Sequence, residues 1–273
     1  MNAWADGSVV SHQTKLHYYR TNGDGPPVVL LHGITDDGLC WTPVAIALED
    51  RFDVIMIDQR GHGKSEAPEN GWDYETMANE VAGLIEALEL NSPVVMGHSM
   101  GAFNALVIAS LFPDLARGYI LEDPPPFWID QPPTEEAVEN RKGMLMWFSE
   151  MKRLTKDELL ASVRKENPGW SEAELSPWAD SKQRFSPMIS NLVEHTLPGP
   201  MNWLDKLKQV HCPIMLITAD QARGAILGEV EVQGLRKYLP DLQWVYLPGA
   251  GHNIRREQFE KYMEAVDEFL SSL

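Results

Sequence analysis

Apolar residues in this chain come in short, almost unbroken runs: "PVVLLHG" (27–33), "FDVIMID" (52–58), "PVVMGHS" (93–99), "GYILED" (118–123), "PIMLITAD" (213–220) and "LQWVYLPG" (242–249). Each run is bounded by turn residues and shows little polar alternation, as expected of strands covered on both faces of a parallel sheet. Between several of them the period changes to that of a helix. In "YETMANEVAGLIEALEL", Met77, Val81, Leu84, Ile85 and Leu88 share one face, and near the C-terminus Phe259, Met263, Val266 and Leu270 form a second stripe. Strand–helix alternation predicts a doubly wound, mostly parallel α/β sheet. "VVSHQTKLHYYR" predicts a hairpin ahead of it.

The alternation stops at Pro124. "GYILEDPPPFW" begins as a core strand, carries Glu122 and Asp123 to its end, and then meets three prolines that forbid further ladder hydrogen bonds. From 124 to 207 no buried-strand run appears, yet five of the nine tryptophans lie there: Trp128, Trp147, Trp170, Trp178 and Trp203. This segment reads as a helical cap inserted into a core made of residues 1–123 and 208–273.

Composition narrows the partners. With 273 residues and 44% hydrophobic content the chain can bury a large core. A formal net charge of −17 argues against nucleic acid and against an anionic membrane surface, and favours a ligand that is neutral or locally screened. Cys40 and Cys212 have no metal-ligand spacing and read as buried reduced thiols. "MNAWADGSVV" has no basic leader, so the cytoplasm is the default location. "RGAILGEVEV" lacks the spacing of a phosphate-binding loop. No metal, nucleotide or redox cofactor is indicated, and nothing in the pattern speaks to oligomeric state.

The chemistry is carried by "VVMGHSMGAFNAL", in which Gly97-His98-Ser99-Met100-Gly101 joins a strand to a helical pattern. A turn this sharp exposes the serine hydroxyl above the sheet, and glycines flank it because side chains would strike neighbouring backbone. Three further segments follow a familiar order: "LLHGITDDG", "DQRGHGKSE" (58–66) and "LPGAGHN". With the serine turn they make the chain resemble the α/β-hydrolase superfamily over essentially its whole length. The resemblance implies Ser99 as nucleophile, His252 as general base, and the backbone N–H groups of Ile34 and Met100 as an oxyanion hole. It gives His32 and His62 supporting roles.

The acid that orients His252 has three candidates. In much of the superfamily it follows the seventh strand, which here offers Asp220, about two residues early, with Ala222 at the expected place. In a minority it follows the sixth strand, which offers Asp123, or Glu122 on the opposite face. The likeness to serine esterases and lactonases of that minority favours Asp123. A serine at the turn disfavours the alkyl-enzyme chemistry of carboxylate nucleophiles, leaving acyl transfer. The expected activity is hydrolysis of a carboxylic ester or lactone of a rather apolar small molecule. The alternatives are a cofactor-free C–C bond hydrolase or perhydrolase, and a ligand-binding receptor on the same fold. Trp41, His98, Phe127, Trp128 and Trp147 are the expected substrate contacts. Asp36 and Asp37 read as pocket-entrance or helix-capping residues.

Overall fold

The computed structural model describes residues 4–129, 135–195 and 203–273. Eight strands form one sheet: β1 (Ala5–Ser11), β2 (Thr14–Arg20), β3 (Pro27–Leu31), β4 (Asp53–Asp58), β5 (Val94–His98), β6 (Gly118–Glu122), β7 (Ile214–Thr218) and β8 (Gln243–Tyr246). Their spatial order is β1-β2-β4-β3-β5-β6-β7-β8. β1 and β2 pair antiparallel as the expected hairpin, and β2 joins β4 antiparallel. From β4 to β8 every pairing is parallel.

The core helices are α1 (Thr42–Leu48), α2 (Tyr74–Ala87) and α3 (Met100–Leu111). Between β6 and β7 come α4 (Glu135–Met151), α5 (Lys156–Glu166), α6 (Glu172–Arg184) and α7 (Ser190–His195). After β7 follow α8 (Glu229–Arg236), α9 (Ile254–Glu257) and α10 (Phe259–Ser271).

The unbroken apolar runs are explained by the two faces they serve. Val29, Leu31, Ile55, Ile57, Val95, Leu121 and Leu216 pack with α2, α3 and α8. Their immediate neighbours Val28, Leu30, Val54, Met56, Met96, Ile120 and Ile217 pack with α1 and α10 on the other side. A doubly wound α/β fold with a mostly parallel sheet is therefore what the sequence forms. Among the described residues no helix is long and apolar enough to cross a membrane. Cys40 and Cys212 are free thiols, but only Cys40 is fully buried; Cys212 is half-buried at the start of the run leading to β7.

The residues from 135 to 195 contain no strand, and their helices build a separate apolar cluster. Phe148, Met151, Leu159, Phe185, Ile189 and Leu192 meet Met100, Trp72 and Met77 of the core there. The insertion thus sits over the start of α3, at the C-terminal end of β5.

Two motifs of the sequence prove to be braces. Asp58 accepts hydrogen bonds from the Gly38 N–H (2.8 Å) and the Lys64 N–H (2.9 Å), closing two turns at once. Buried Arg60 forks onto Glu80 of α2, with Nε–Oε2 at 3.0 Å and Nη2–Oε1 at 2.6 Å. The glycines of the serine turn answer to close packing: a Cβ on Gly97 would lie 2.3 Å from the Gly101 carbonyl oxygen, and one on Gly101 would lie 2.1 Å from that of Leu31.

Gly101→Ala should therefore destabilise the protein by about 3 kcal/mol, the upper end of overpacking costs, because the obstacle is backbone. Gly143→Ala, inside α4 with nothing within 4 Å of the added methyl, should stabilise by about 0.5–1 kcal/mol. Urea unfolding of both variants measures the contrast, and equal effects would contradict the packing account.

Candidate active site

Ser99 sits between β5 and α3 with φ 52° and ψ −116°, a conformation that costs a non-glycine residue about 1–3 kcal/mol. Its N–H donates to the Glu122 carbonyl of the neighbouring strand at 2.8 Å, so the strained residue stays anchored to the sheet. Ile34 lies in the turn after β3, where the Asp36 N–H donates to the Gly33 carbonyl (3.1 Å) and Thr35 has φ 66°. No backbone hydrogen bond within the described chain engages the N–H of Ile34 or of Met100, and both residues border the same cavity as Ser99. Two unengaged donors beside a hydroxyl can receive a developing oxyanion.

His252 follows β8, and its Nδ1 lies 2.7 Å from Oδ2 of Asp123. Asp123 is fully buried, has φ 44°, and also accepts the N–H groups of Ile226 (2.8 Å) and Leu227 (3.0 Å). With a carboxylate at Nδ1, that nitrogen carries the proton and Nε2 presents its lone pair. Asp220 does something else. It accepts from the Tyr246 hydroxyl and from the Gly249 N–H (2.8 Å), which hold its carboxyl below the usual range, and its own N–H donates to the Ala250 carbonyl (3.0 Å). Asp220 thus anchors the loop that carries His252. Glu122 points the other way, to the backbone N–H (3.0 Å) and guanidinium (3.1 Å) of Arg255.

Three buried histidines brace these loops in neutral form. The Gln59 N–H donates to Nε2 of His32 (3.0 Å), and the Thr35 N–H donates to Nε2 of His62 (3.2 Å). In each ring the opposite nitrogen therefore donates to a carbonyl, Gly33 for His32 and Arg60 for His62, both at 2.8 Å. His98 donates through Nε2 to the His252 carbonyl (3.0 Å), and its ring lies 4.7 Å from the His252 ring. Burial lowers the pKa of His32 and takes His98 well below the imidazole range; for His62, burial and then the neighbouring His32 bring it to about 3.

Beneath them lies a buried ion cluster that no local pattern announces. Asp36 binds Lys182 of α6 (2.7 Å) and Arg256 (2.9 Å), with Arg255 at 3.6 Å. Arg256 also meets Glu174 (3.1 Å). Burial would raise the Asp36 pKa, but Arg256, Lys182 and Arg255 outweigh it and hold the carboxyl well below its usual range. Asp36 is thus a buried tie between the turn after β3 and helices α6 and α9, not a pocket-entrance residue. Asp37 caps the turn Gly38–Trp41 through the Leu39 N–H and pairs with Arg184.

A cavity of about 380 Å³ opens beside Ser99, lined largely by apolar side chains that include Phe127, Tyr74, Met144, Leu192 and Ile226. Of the five expected substrate contacts, only Phe127 lines it. Trp41 is fully buried in the cluster on the other face, with the Arg255 guanidinium 4.2 Å above its ring. His98 supports the backbone of His252 instead of facing substrate. Trp128 donates to the Glu231 carbonyl (2.9 Å) and borders a different cavity, of about 630 Å³, against α8. Trp147 packs on Phe148 within the insertion. Trp170 and Trp178 cover the cations Arg256 and Lys182. Tyr74, Asn140, Arg141 and Ile226 were not foreseen as lining residues, because single positions on helices and loops carry no motif.

Comparisons with known proteins agree with this fold. The model of a family described as alpha/beta hydrolase fold matches residues 26–254. 2-(Acetamidomethylene)succinate hydrolase of Mesorhizobium japonicum is 28% identical over 268 residues, spanning 93% of this chain and 91% of the relative. N-formylmaleamate deformylase of Pseudomonas putida is 28% identical over 274 residues, spanning 97% and 96%. Among solved structures, a thermophilic esterase from Thermogutta terrifontis, determined with malate bound, aligns with a TM-score of 0.74 at 26% identity over 98% of both chains.

The histidines and the ion cluster have consequences for stability. A histidine whose folded pKa lies below the unfolded value of about 6.5 binds fewer protons folded than unfolded, so its contribution is intact above pH 6.5 and is lost as pH falls toward the folded pKa. His32, His62 and His98 all act in this direction. Each should add up to about 1.4 kcal/mol per pH unit of destabilisation below pH 6.5. Urea midpoints between pH 7.5 and 5 read the slope, and His62→Gln should flatten it. Asp36→Asn, which leaves buried cations short of a partner, should cost about 3–5 kcal/mol at neutral pH; a loss under 1 kcal/mol would show the cluster to be dispensable.

Proposed function

The chain belongs to the α/β-hydrolase family, and on that premise we propose that this hydrolase opens carboxylic esters, lactones included, through an acyl-enzyme on Ser99. The observation that carries the reading is a strained serine at the mouth of an apolar cavity, beside two unengaged backbone N–H groups. The pairing of His252 with Asp123 supports it. In the proposed sequence Nε2 of His252 removes the Ser99 proton as Oγ attacks the acyl carbon, and the N–H groups of Ile34 and Met100 receive the oxyanion. The leaving alcohol takes the proton back from His252. Water, activated by the same nitrogen, then releases the acid and restores Ser99. Asp123 would hold the imidazole tautomer and offset its transient charge. Helices α4 to α7 would serve as a cap that keeps the reacting carbonyl out of bulk water.

A second reading has its own support. Two full-length relatives are named for substrates bearing an N-acyl group, acetamido in one and N-formyl in the other. The same residues can expel an amine, provided His252 protonates it as it leaves. An N-acyl bond is therefore the alternative scissile group.

Turnover of 4-nitrophenyl butyrate tests the ester reading. Wild type should hydrolyse it. Ser99→Ala should abolish the burst of bound acyl group detected by mass, and Asp123→Asn should lower kcat by up to about 10⁴-fold. Asp220→Asn should retain most activity while lowering thermal stability, because it loosens the loop before His252. Activity lost in Asp220→Asn and kept in Asp123→Asn would reverse the assignment of the acid. Inert wild type that cleaves N-formyl or N-acetyl substrates would move the second reading ahead.

A further inference from the structure

Polar groups are few around the cavity beside Ser99, and one stands apart from the others. Asn140, Arg141 and Met144 of α4 all border it, the first and last one helical turn apart. Arg141 is half-buried, and among the described residues its side chain makes no ion pair and no hydrogen bond. Arg20, Arg60, Arg184, Arg255 and Arg256 each hold a carboxylate; Arg117 and Arg236, also half-buried, hold none but do not border this cavity. Among the described residues the lining contains no Asp or Glu, and Arg141 is its sole charged side chain.

We propose that Arg141 is a specificity-determining residue that binds a carboxylate of the substrate, so that the ester cleaved at Ser99 carries an anionic arm. The proposal rests on the serine-hydrolase reading and deepens it. A guanidinium offers a planar fork of N–H donors that matches a carboxylate in two hydrogen bonds, a geometry that neither lysine nor a neutral amide reproduces. Apolar walls strengthen the pairing by excluding water from it. The net charge of −17 repels anions at long range. A local cation is what admits an anionic substrate in spite of that field. A cavity of about 380 Å³ suits a small half-ester of a dicarboxylic acid better than a long acyl chain.

The experiment compares mono-(4-nitrophenyl) adipate with its neutral methyl ester, on wild type, Arg141→Gln and Arg141→Lys. Wild type should prefer the anionic ester in kcat/KM. In Arg141→Gln the ratio of anionic to neutral kcat/KM should fall about 10- to 100-fold, chiefly through KM, and Arg141→Lys should restore part of it. A proportional loss on both esters would overturn the proposal, since it would mean that Arg141 only supports α4. An unchanged ratio would overturn it as well. Binding is read separately from turnover with adipate itself. Adipate should raise the Tm of Ser99→Ala and should fail to do so in Ser99→Ala/Arg141→Gln. If no ester is hydrolysed but the adipate shift depends on Arg141, the carboxylate subsite stands and the ester reading falls. An adipate shift that is absent, or insensitive to Arg141, removes the subsite whatever the turnover shows.

Discussion

The buried ion cluster around Asp36 is the interaction on which the rest of the site depends. Three carboxylates, Asp36, Glu122 and Glu174, meet three cations, Lys182, Arg255 and Arg256. These six come from the turn after β3, the end of β6, the insertion helix α6, and the short helix α9 just beyond His252. Removing such charges from water costs several kcal/mol per ion, recovered only when the geometry satisfies them. Such a cluster therefore contributes little net stability but tolerates no shift of its members. That intolerance is useful here. The turn that presents the Ile34 N–H, the segment that follows His252, and the helices above them are held in one arrangement because each alternative strands a buried charge.

Strain at the site is offset in a consistent way. Ser99 and Asp123 are non-glycine residues with positive φ, each standing just past the end of a strand. Each still gives its N–H to the next strand, Ser99 to Glu122 (2.8 Å) and Asp123 to Ile217 (3.0 Å). The parallel ladder thus continues one residue beyond the regular strand and fixes the height of both side chains above the sheet. The positive φ then turns the side chain out of the pleat. This is why Glu122 and Asp123, adjacent in sequence, part so completely: one enters the ion cluster, the other meets His252.

Much of this was legible in the sequence, and the limits of legibility follow from distance along the chain. Strands with unbroken apolar runs, the hairpin, and the helices at 74–87 and 259–271 are local patterns, and the structure has them. Ser99 and the loop of His252 are likewise marked by immediate neighbours, glycines whose packing leaves no room for a Cβ at Gly97, Gly101 or Gly251. The Asp36 cluster is not local: its contacts reach across 146 and 220 residues. Tryptophan content announced an aromatic insertion but not its orientation, since an indole is as well used covering a cation or pinning a helix as lining a cavity. Trp170, Trp178 and Trp128 do the former two, and Trp41 fills the opposite face of the sheet. The arginine that shares a cavity lining with Ser99 carried no motif at all, and that placement is visible only in three dimensions.

The proposed placement of the acid at Asp123 shows how neighbouring strands could exchange duties without altering the fold. β6 and β7 pair in parallel, so the residues leaving them emerge side by side above the sheet. A carboxylate delivered from either could reach the imidazole. On the proposed assignment the segment after β7 leaves that role to Asp123 and supplies backbone donors: the N–H groups of Ile226 and Leu227 both point to Asp123. Those two bonds, with His252 as the third partner, leave neither oxygen of the fully buried Asp123 carboxyl without a hydrogen bond. Asp220 holds Gly249 and Ala250 and so fixes the approach of the histidine loop. The three prolines after Asp123 complete the exchange. They cannot extend the ladder, so the chain leaves the sheet at the acid, and Pro125 and Phe127 become part of the cavity wall beside Ser99. A strand end that looked over-determined in sequence thus fixes Asp123 against His252, opens the insertion and shapes the pocket with the same few residues.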